Sequence, residues 1–287
     1  MLRKKEIDAS AIKALAIDLD GTTLLPSGEL GERSARILRR LAAGGTRLIV
    51  CTGRPLESSR RFCEAMGAQG PMVFFNGALV AEMPSGKPIA CDMLPFDVIG
   101  RGADVGREMD VHYQAFFPPS NGSEDRSFRL VIERHRPEAD FYNVHTGMAP
   151  IIMDFKKIFA EPGLKGAAKA MYITEDAAAQ EEIRKRMRGQ FGESVCIIRT
   201  HPAFLEVMRT GVSKGSGLKT AMKLAGLAPD EVIAFGDEEN DLPMFAAAGF
   251  SAAPSSAREK IREAADFVFG PNAQEGMADF LEELFGL

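Results

Sequence analysis

The segment Ala14-Leu15-Ala16-Ile17-Asp18-Leu19-Asp20-Gly21-Thr22 joins four uninterrupted apolar residues to an acidic, glycine-containing turn. A short apolar run without alternation reads as a strand buried on both faces, as in a parallel sheet. Its C-terminal end is where open α/β sheets bind ligands. Moving outward, Glu32 to Ala43 places Ala35, Leu38, Leu41 and Ala42 at helical spacing, and Gly44-Gly45 stops the helix. Arg47 to Cys51 is a second buried strand. Pro55 opens a helix that runs to Met66-Gly67, and Met72 to Phe75 is a third strand ending at Asn76-Gly77. Strand and helix alternating at this pace predict a parallel sheet with right-handed crossovers.

The rhythm then changes. Ala78–Ala81 and Pro88–Cys91 flank a four-residue turn, Pro84 to Lys87, and read as a hairpin. Strand-like runs at Val111–Phe117, Phe128–Glu133, Ile151–Phe159, Ala170–Thr174, Val195–Arg199 and Phe204–Met208 mix with helices near Pro95–Met109 and Glu175–Gln190. After Gly211 the α/β alternation resumes: helix 213–225, strand 232–235, helix 241–248, strand 250–252, helix 255–264, strand 267–269 and helix 274–285. The expected fold is α/β: a Rossmann-like parallel core formed by residues 1–83 and 211–287, interrupted by an α+β domain at 84–210. Pro118 to Ser123 reads as a mobile loop.

With 287 residues, 45% hydrophobic and 26% charged, the chain is of ordinary globular composition and long enough for two domains. Lys plus Arg (35) nearly balances Asp plus Glu (40), giving a net charge of −5, so no basic stripe for nucleic acid or membrane is expected. The short basic cluster Arg184, Lys185, Arg186 and Arg188 reads as the solvated face of a helix. Cys51, Cys63, Cys91 and Cys196 show neither CxxC nor metal-ligand spacing and read as reduced core residues. No segment reaches the ~18 apolar residues of a membrane helix, and Glu6 and Asp8 break the resemblance of the basic start to a signal peptide. A cytoplasmic protein is expected.

The chemistry gathers at the predicted strand ends: Asp18 to Thr22, Thr52-Gly53-Arg54, Asn76-Gly77, and Gly236-Asp237-Glu238-Glu239-Asn240-Asp241, with Lys214 opening the preceding helix. Several carboxylates at one edge repel unless a cation holds them, and an all-oxygen site suits magnesium. A metal alone needs neither Lys214 nor the Thr52-Gly53 turn. A metal with a phosphoryl group uses both, through an ammonium, a hydroxyl and backbone N–H groups. An aspartate beside the metal can then attack phosphorus, and a second one two residues on can move the proton. Each motif alone would be an ordinary turn or helix cap; their joint placement is what points to a site.

Asp18-Leu19-Asp20-Gly21-Thr22, Thr52-Gly53-Arg54, Lys214-Gly215 and Gly236-Asp237 with Asn240-Asp241 resemble the four motifs of the haloacid dehalogenase-like (HAD) phosphatase superfamily. Asn76-Gly77-Ala78, the large insertion and the Phe204–Met208 and Gly211–Gly215 runs resemble its Cof-type branch, as does Asn272–Gly276, and that branch carries a large α+β cap. The resemblance implies an aspartyl-phosphate mechanism on small phosphate esters such as sugar phosphates, with Mg2+ as cofactor. It makes Asp18 the nucleophile and Asp20 the general acid/base, and assigns the metal to Asp18, Asp20 (through its carbonyl), Asp237 and Asp241. It gives the phosphate to Thr52, Gly53, Lys214 and Asn240, and the substrate rim to Arg54 and Asn76. Where the branch has a Gly-Asn-Ala-like turn, this chain has Ala252-Ala253-Pro254-Ser255-Ser256, expected to cap a helix through Ser255. Such caps read the leaving group, and His112, Tyr113, Arg129, Lys156 and Lys157 are the candidate readers, while His201 is expected to be structural.

Other readings keep part of this pattern. A phosphomutase would use the same residues with a sugar hydroxyl in place of water. A response-regulator-like domain would need neither Asp20 nor a large insertion, and a binding protein without catalysis would be expected to lack a motif residue. Dinucleotide binding lacks its GxGxxG.

Overall fold

A computed structural model describes residues 2–3, 5–120 and 127–287, and its fold is a parallel-sheet α/β core with an additional α+β unit. The part of the expected 118–123 loop from Asn121 onward lies outside the described residues. The chain divides into two compact units, 1–53 with 59–90 and 213–287, and 54–58 with 91–212.

The first unit holds a six-stranded sheet in the order Leu2–Arg3, Phe267–Phe269, Phe250–Pro254, Val232–Phe235, Ala14–Ile17, Arg47–Val50. All neighbours are parallel except the Leu2–Arg3 edge. Ala14–Ile17 and Val232–Phe235 are buried along their whole length, as continuous apolar runs require when helices cover both faces. On one face Leu218, Ala221 and Met222 of the Lys214–Ala225 helix pack with Ala14, Ala16, Val232 and Ala234. Phe280 of the Gly276–Phe285 helix meets Phe235, Phe267 and Phe269 with ring centroids 5.7, 5.8 and 5.9 Å apart.

Register places the chemistry. Ile17 pairs with both Phe235 and Val50, so three strands end level and their next residues emerge side by side. Asp18 N–H donates to Phe235 O at 3.0 Å, and Cys51 N–H to Ile17 O at 2.8 Å.

The third predicted strand needs correction. Gly70–Phe74 belongs to a three-stranded sheet with Leu79–Met83 and Lys87–Cys91, and joins the large sheet only through the parallel bridge Cys51↔Val73. The expected hairpin is present, and its second strand explains why the boundary lies after Ala90 and not at 83/84: the Pro84–Lys87 turn is internal to a sheet. The return to the first unit falls at Ser213 in place of residue 211.

In the second unit a sheet in the order Val195–His201, Phe204–Arg209, Lys169–Ile173, His112–Phe117, Arg129–Ile132, Ile151–Ile152 is antiparallel except for its last pair. Helices Phe96–Glu108 and Ala177–Phe191 cover one face, over a core containing Tyr113, Ala115, Phe117, Tyr172 and Leu205. The run 151–159, expected as one strand, is a two-residue strand followed by the helix Phe155–Phe159, because Asp154 accepts from Lys156 N–H and caps a new helix. A helix at Asp140–Thr146 was not anticipated; its Tyr142 rests edge-on against Phe116 and Phe204. The basic cluster lies on the Ala177–Phe191 helix, where Arg186 pairs with Glu182 and Glu108.

Asp176 caps that helix by accepting from Ala178 N–H and Ala179 N–H at 2.8 and 3.2 Å. Asp176→Ala should lower stability by about 1 kcal/mol in urea unfolding, the usual worth of such a cap. Among the described residues no helix is long and apolar enough to cross a membrane.

Candidate active site

Asp18 sits at the tip of the Ala14–Ile17 strand and is only 4% exposed. Lys214, the first residue of the Lys214–Ala225 helix, is 2% exposed and projects between two carboxylates. Its Nζ donates to Asp18 Oδ1 at 2.5 Å and to Asp241 Oδ1 at 2.6 Å. That helix begins with a reciprocal cap in which the side chains of Ser213 and Ser216 each bond the other's backbone N–H, which holds the lysine's origin firmly.

Asp241 is fully buried and spends its second oxygen on the N–H groups of Asp237 and Glu238, at 2.9 and 3.0 Å. Those bonds pin the Gly236–Asp241 loop to the strand before it. Asp237 Oδ1 accepts from Thr22 Oγ1 at 2.6 Å. Gly21, at φ +78°, lies so close to Asp237 that an added Cβ would come within 2.2 Å of its carboxylate. Only glycine satisfies both the left-handed backbone and that approach.

Oxygen atoms of Asp18, Asp237 and Asp241 all lie within 4.8 Å of one another. Burial pushes the Asp18 carboxyl well above its usual range; Lys214 opposes this, while Asp241, Asp237 and Asp20 add to it. Burial, then Asp241, raises Asp237 to about 7, against the lowering effect of the Thr22 hydrogen bond. Burial alone would lower the Lys214 ammonium, but Asp18 and Asp241 outweigh it and hold it above its ordinary value. One buried ammonium therefore faces three carboxylates, and the excess negative charge on hard oxygen donors fits a divalent cation such as magnesium.

Asp20 is exposed, two residues beyond Asp18. Thr52 is buried, and its N–H is engaged with Val73 O at 2.9 Å. Asn240 is half-buried and donates through Nδ2 to Asn76 Oδ1 at 3.0 Å. Gly53 packs against the same Asn76 amide. Arg54 and Asn76 are buried, at 6% and 1% exposure. Arg54 falls in the second unit, whereas the turn holding Asn76 is tied by hydrogen bonds inside the first.

The candidate readers of a leaving group are mostly engaged elsewhere. Arg129 is clamped by both oxygens of Glu161 and by Pro118 O. Tyr113 lies in the core of the second unit, and Lys156 and Lys157 are exposed on a five-residue helix. His112 is buried, 3.0 Å from Gln114 Oε1. His201 lies tilted against Phe204, with ring centroids 4.6 Å apart, and accepts from Ala203 N–H. Ser255 caps no helix: the next one starts after Arg258, while Ser255 extends the backbone pairing with Phe269.

Some residues have a role that the motifs did not announce. Thr22 lay inside the first motif without an assigned role, though it holds Asp237. In the second unit Lys169 and Glu206 form an ion pair of 2.7 Å, at 1% and 5% side-chain exposure, and each sits within an apolar strand.

Strand tips of a doubly wound sheet bearing Asp18, Asp237 and Asp241, with Lys214 at the start of a helix, define a phosphoryl-transfer type of hydrolase. The chain belongs to the haloacid dehalogenase-like hydrolase family, whose model matches residues 15–281, and within it to the phosphatases. It is 28% identical over 276 residues to the 5-amino-6-(5-phospho-D-ribitylamino)uracil phosphatase YitU of Bacillus subtilis, covering 95% of this chain and 97% of that one. Among solved structures, TM0651 from Thermotoga maritima superposes with a TM-score of 0.80 at 26% identity, over 95% and 97% of the two chains. The subclass IIB sugar phosphatase BT4131 superposes with a TM-score of 0.77 at 20% identity, over 96% and 99%, a likeness of fold.

Proposed function

We propose that this chain is a magnesium-dependent phosphatase that hydrolyses a small phosphorylated metabolite, a sugar phosphate or similar ester, through a phosphoryl group carried on Asp18. The observation that carries this is the buried Lys214 ammonium set between Asp18 and Asp241, with Asp237 adjoining. Asp18, Asp237 and Asp241, with the Asp20 carbonyl, would hold the cation, which when bound supplies charge that offsets repulsion between carboxylate and phosphate. Asp18 Oδ attacks phosphorus as the bond from phosphorus to the ester oxygen breaks, and Asp20 gives that oxygen its proton. Water then attacks the phosphoryl group, Asp20 takes the water's proton, and Asp18 leaves as a carboxylate. Lys214, Thr52, Gly53 and Asn240 hold the phosphoryl oxygens. The esters named for YitU and BT4131 support a small polyol-bearing substrate, and four free cysteines fit a reducing compartment such as the cytoplasm.

The test is phosphate release from a panel of phosphorylated sugars, nucleotides and cofactors, with magnesium or with chelator. Turnover of some ester only with magnesium supports the reading, and equal turnover in chelator sinks the metal dependence.

Magnesium alone should also raise the thermal midpoint. Asp237 titrates near 7 in the cation-free site, facing Asp241, Lys214, Thr22 and Glu238, so protons compete with the cation for it. The gain should be larger at pH 8 than at pH 6. A midpoint indifferent to magnesium at both values counts against the site.

A further inference from the structure

After the strand Gly70–Phe74 the chain places three consecutive residues in the left-handed region: Phe75 at φ 50°, Asn76 at φ 55° and Gly77 at φ 102°. For a bulky residue such as Phe75 this backbone is unfavourable and persists only where its surroundings enforce it. The enforcing contacts reach three separate segments. Asn76 N–H donates to Thr52 O at 3.0 Å. Asn76 Oδ1 accepts from Asn240 Nδ2 at 3.0 Å, and the same amide lies against Gly53, where an added Cβ would meet Oδ1 at 3.0 Å. Gly77 abuts Ser213, the residue that caps the Lys214 helix, so closely that a Cβ would stand 2.0 Å from Ser213 O. The three segments are those bearing Thr52 and Gly53, Lys214, and Asn240.

We propose that Asn76 is a positioning residue: the turn Phe75–Gly77 sets the spacing of the three phosphate-holding segments, and the Asn76 amide oxygen aims Asn240 Nδ2. The inference rests on the phosphatase reading for its consequence, but the bracket itself is a matter of geometry. Asparagine suits the place on two counts. It tolerates left-handed backbone better than most residues, and its acceptor oxygen carries no charge to repel a phosphoryl group. An aspartate there would orient Asn240 equally well while adding a negative charge.

The variants are Asn76→Gly, which keeps the left-handed turn and deletes the amide, Asn240→Ala, and the two combined. With p-nitrophenyl phosphate as substrate and orthovanadate as inhibitor, each single change should raise KM and the vanadate inhibition constant about tenfold, the order of one lost hydrogen bond to a charged group. kcat should fall less, the thermal midpoint should hold, and the combined variant should be no worse than the worse single one. Losses that multiply, or an Asn76→Gly enzyme indistinguishable from wild type, overturn the proposal. A second measurement does not depend on turnover: hydrogen exchange of the Asn240 side-chain NH2, assigned by its loss in Asn240→Ala. Slow exchange in the wild type that becomes at least about tenfold faster in Asn76→Gly supports the bracket. Exchange at the solvent rate in the wild type overturns it. If no ester is hydrolysed at all, the phosphatase reading fails while the exchange result still decides the bracket.

Discussion

Replacing Asp18 by asparagine should reduce phosphate release by on the order of 10^3-fold or more, with the thermal midpoint held or raised. The two halves of this result have different causes. Activity falls because an amide oxygen does not form the acyl phosphate that splits hydrolysis into two displacements. Stability holds because the carboxylate is costly where it lies: burial is the largest influence on Asp18 and exceeds the attraction of Lys214. The isosteric amide removes that cost, and Lys214 keeps Asp241 as its partner. The check is a phosphate-release assay in magnesium beside a thermal melt in chelator, where the cation's own stabilisation does not enter. An inactive variant that also unfolds early would show that Asp18 holds the fold, leaving the chemistry undecided; a variant of near-normal activity would remove Asp18 from the mechanism.

Lys214→Met should show the opposite balance, with loss of both activity and fold stability. The ammonium pairs with two carboxylates at 2.5 and 2.6 Å, with 2% of its own side chain exposed. Removing one partner of a buried ionic group leaves uncompensated charge, which costs about 3–5 kcal/mol. The sign of the pH dependence follows from the raised carboxylates. A group whose folded pKa lies above its unfolded value contributes stability at low pH and loses it as pH rises through the folded pKa. Asp18 is raised and Asp237 stands at about 7 even with the lysine present. In chelator, the deficit of Lys214→Met should therefore be greatest above pH 7 and shrink on acidification, and magnesium should restore part of it. Urea unfolding at pH 8 and pH 5.5 gives the comparison. A deficit independent of pH would mean that the lysine stem's packing, and not its charge, had been lost.

The parallel core was legible because its signals are local. An unbroken apolar run such as Ala14–Ile17 states its burial directly, and an acidic or glycine-bearing turn follows most strand tips. The gathering of Asp18, Asp237 and Asp241 could be anticipated from their shared position at strand ends, and the level register of Ile17, Val50 and Phe235 is what brings it about. What escaped depends on direction or on partners distant in sequence. Asn76 was visible as a turn residue, but whether its amide faces solvent or Asn240 is settled only by the left-handed backbone. Residues 151–159 misled because they are apolar in both a strand and a helix; Asp154, a capping residue inside the run, was the overlooked mark. Lys169 and Glu206 lie on neighbouring strands of the second unit, 37 positions apart, and nothing near either one announces the other.

The interruption of the core by residues 91–212 has a consequence for the order in which the protein is made. Asp18 and Lys214 are 196 positions apart, and the strand that pairs beside Ala14–Ile17 ends at Phe235. As the chain is synthesised, the first half of the core therefore waits, lacking its neighbour, until the second half emerges. The intervening segment need not wait, since its sheet draws on residues 112 to 209 alone. Once it folds, Leu94 is bonded to Ala167 and Arg209 lies 3.7 Å from Asp92, so the two ends of the insertion are drawn together. A separation of more than a hundred residues then behaves, for loop-closure entropy, like a short connection. The folded insertion thus works as a clasp that lets two distant pieces of chain find each other and close the catalytic edge last.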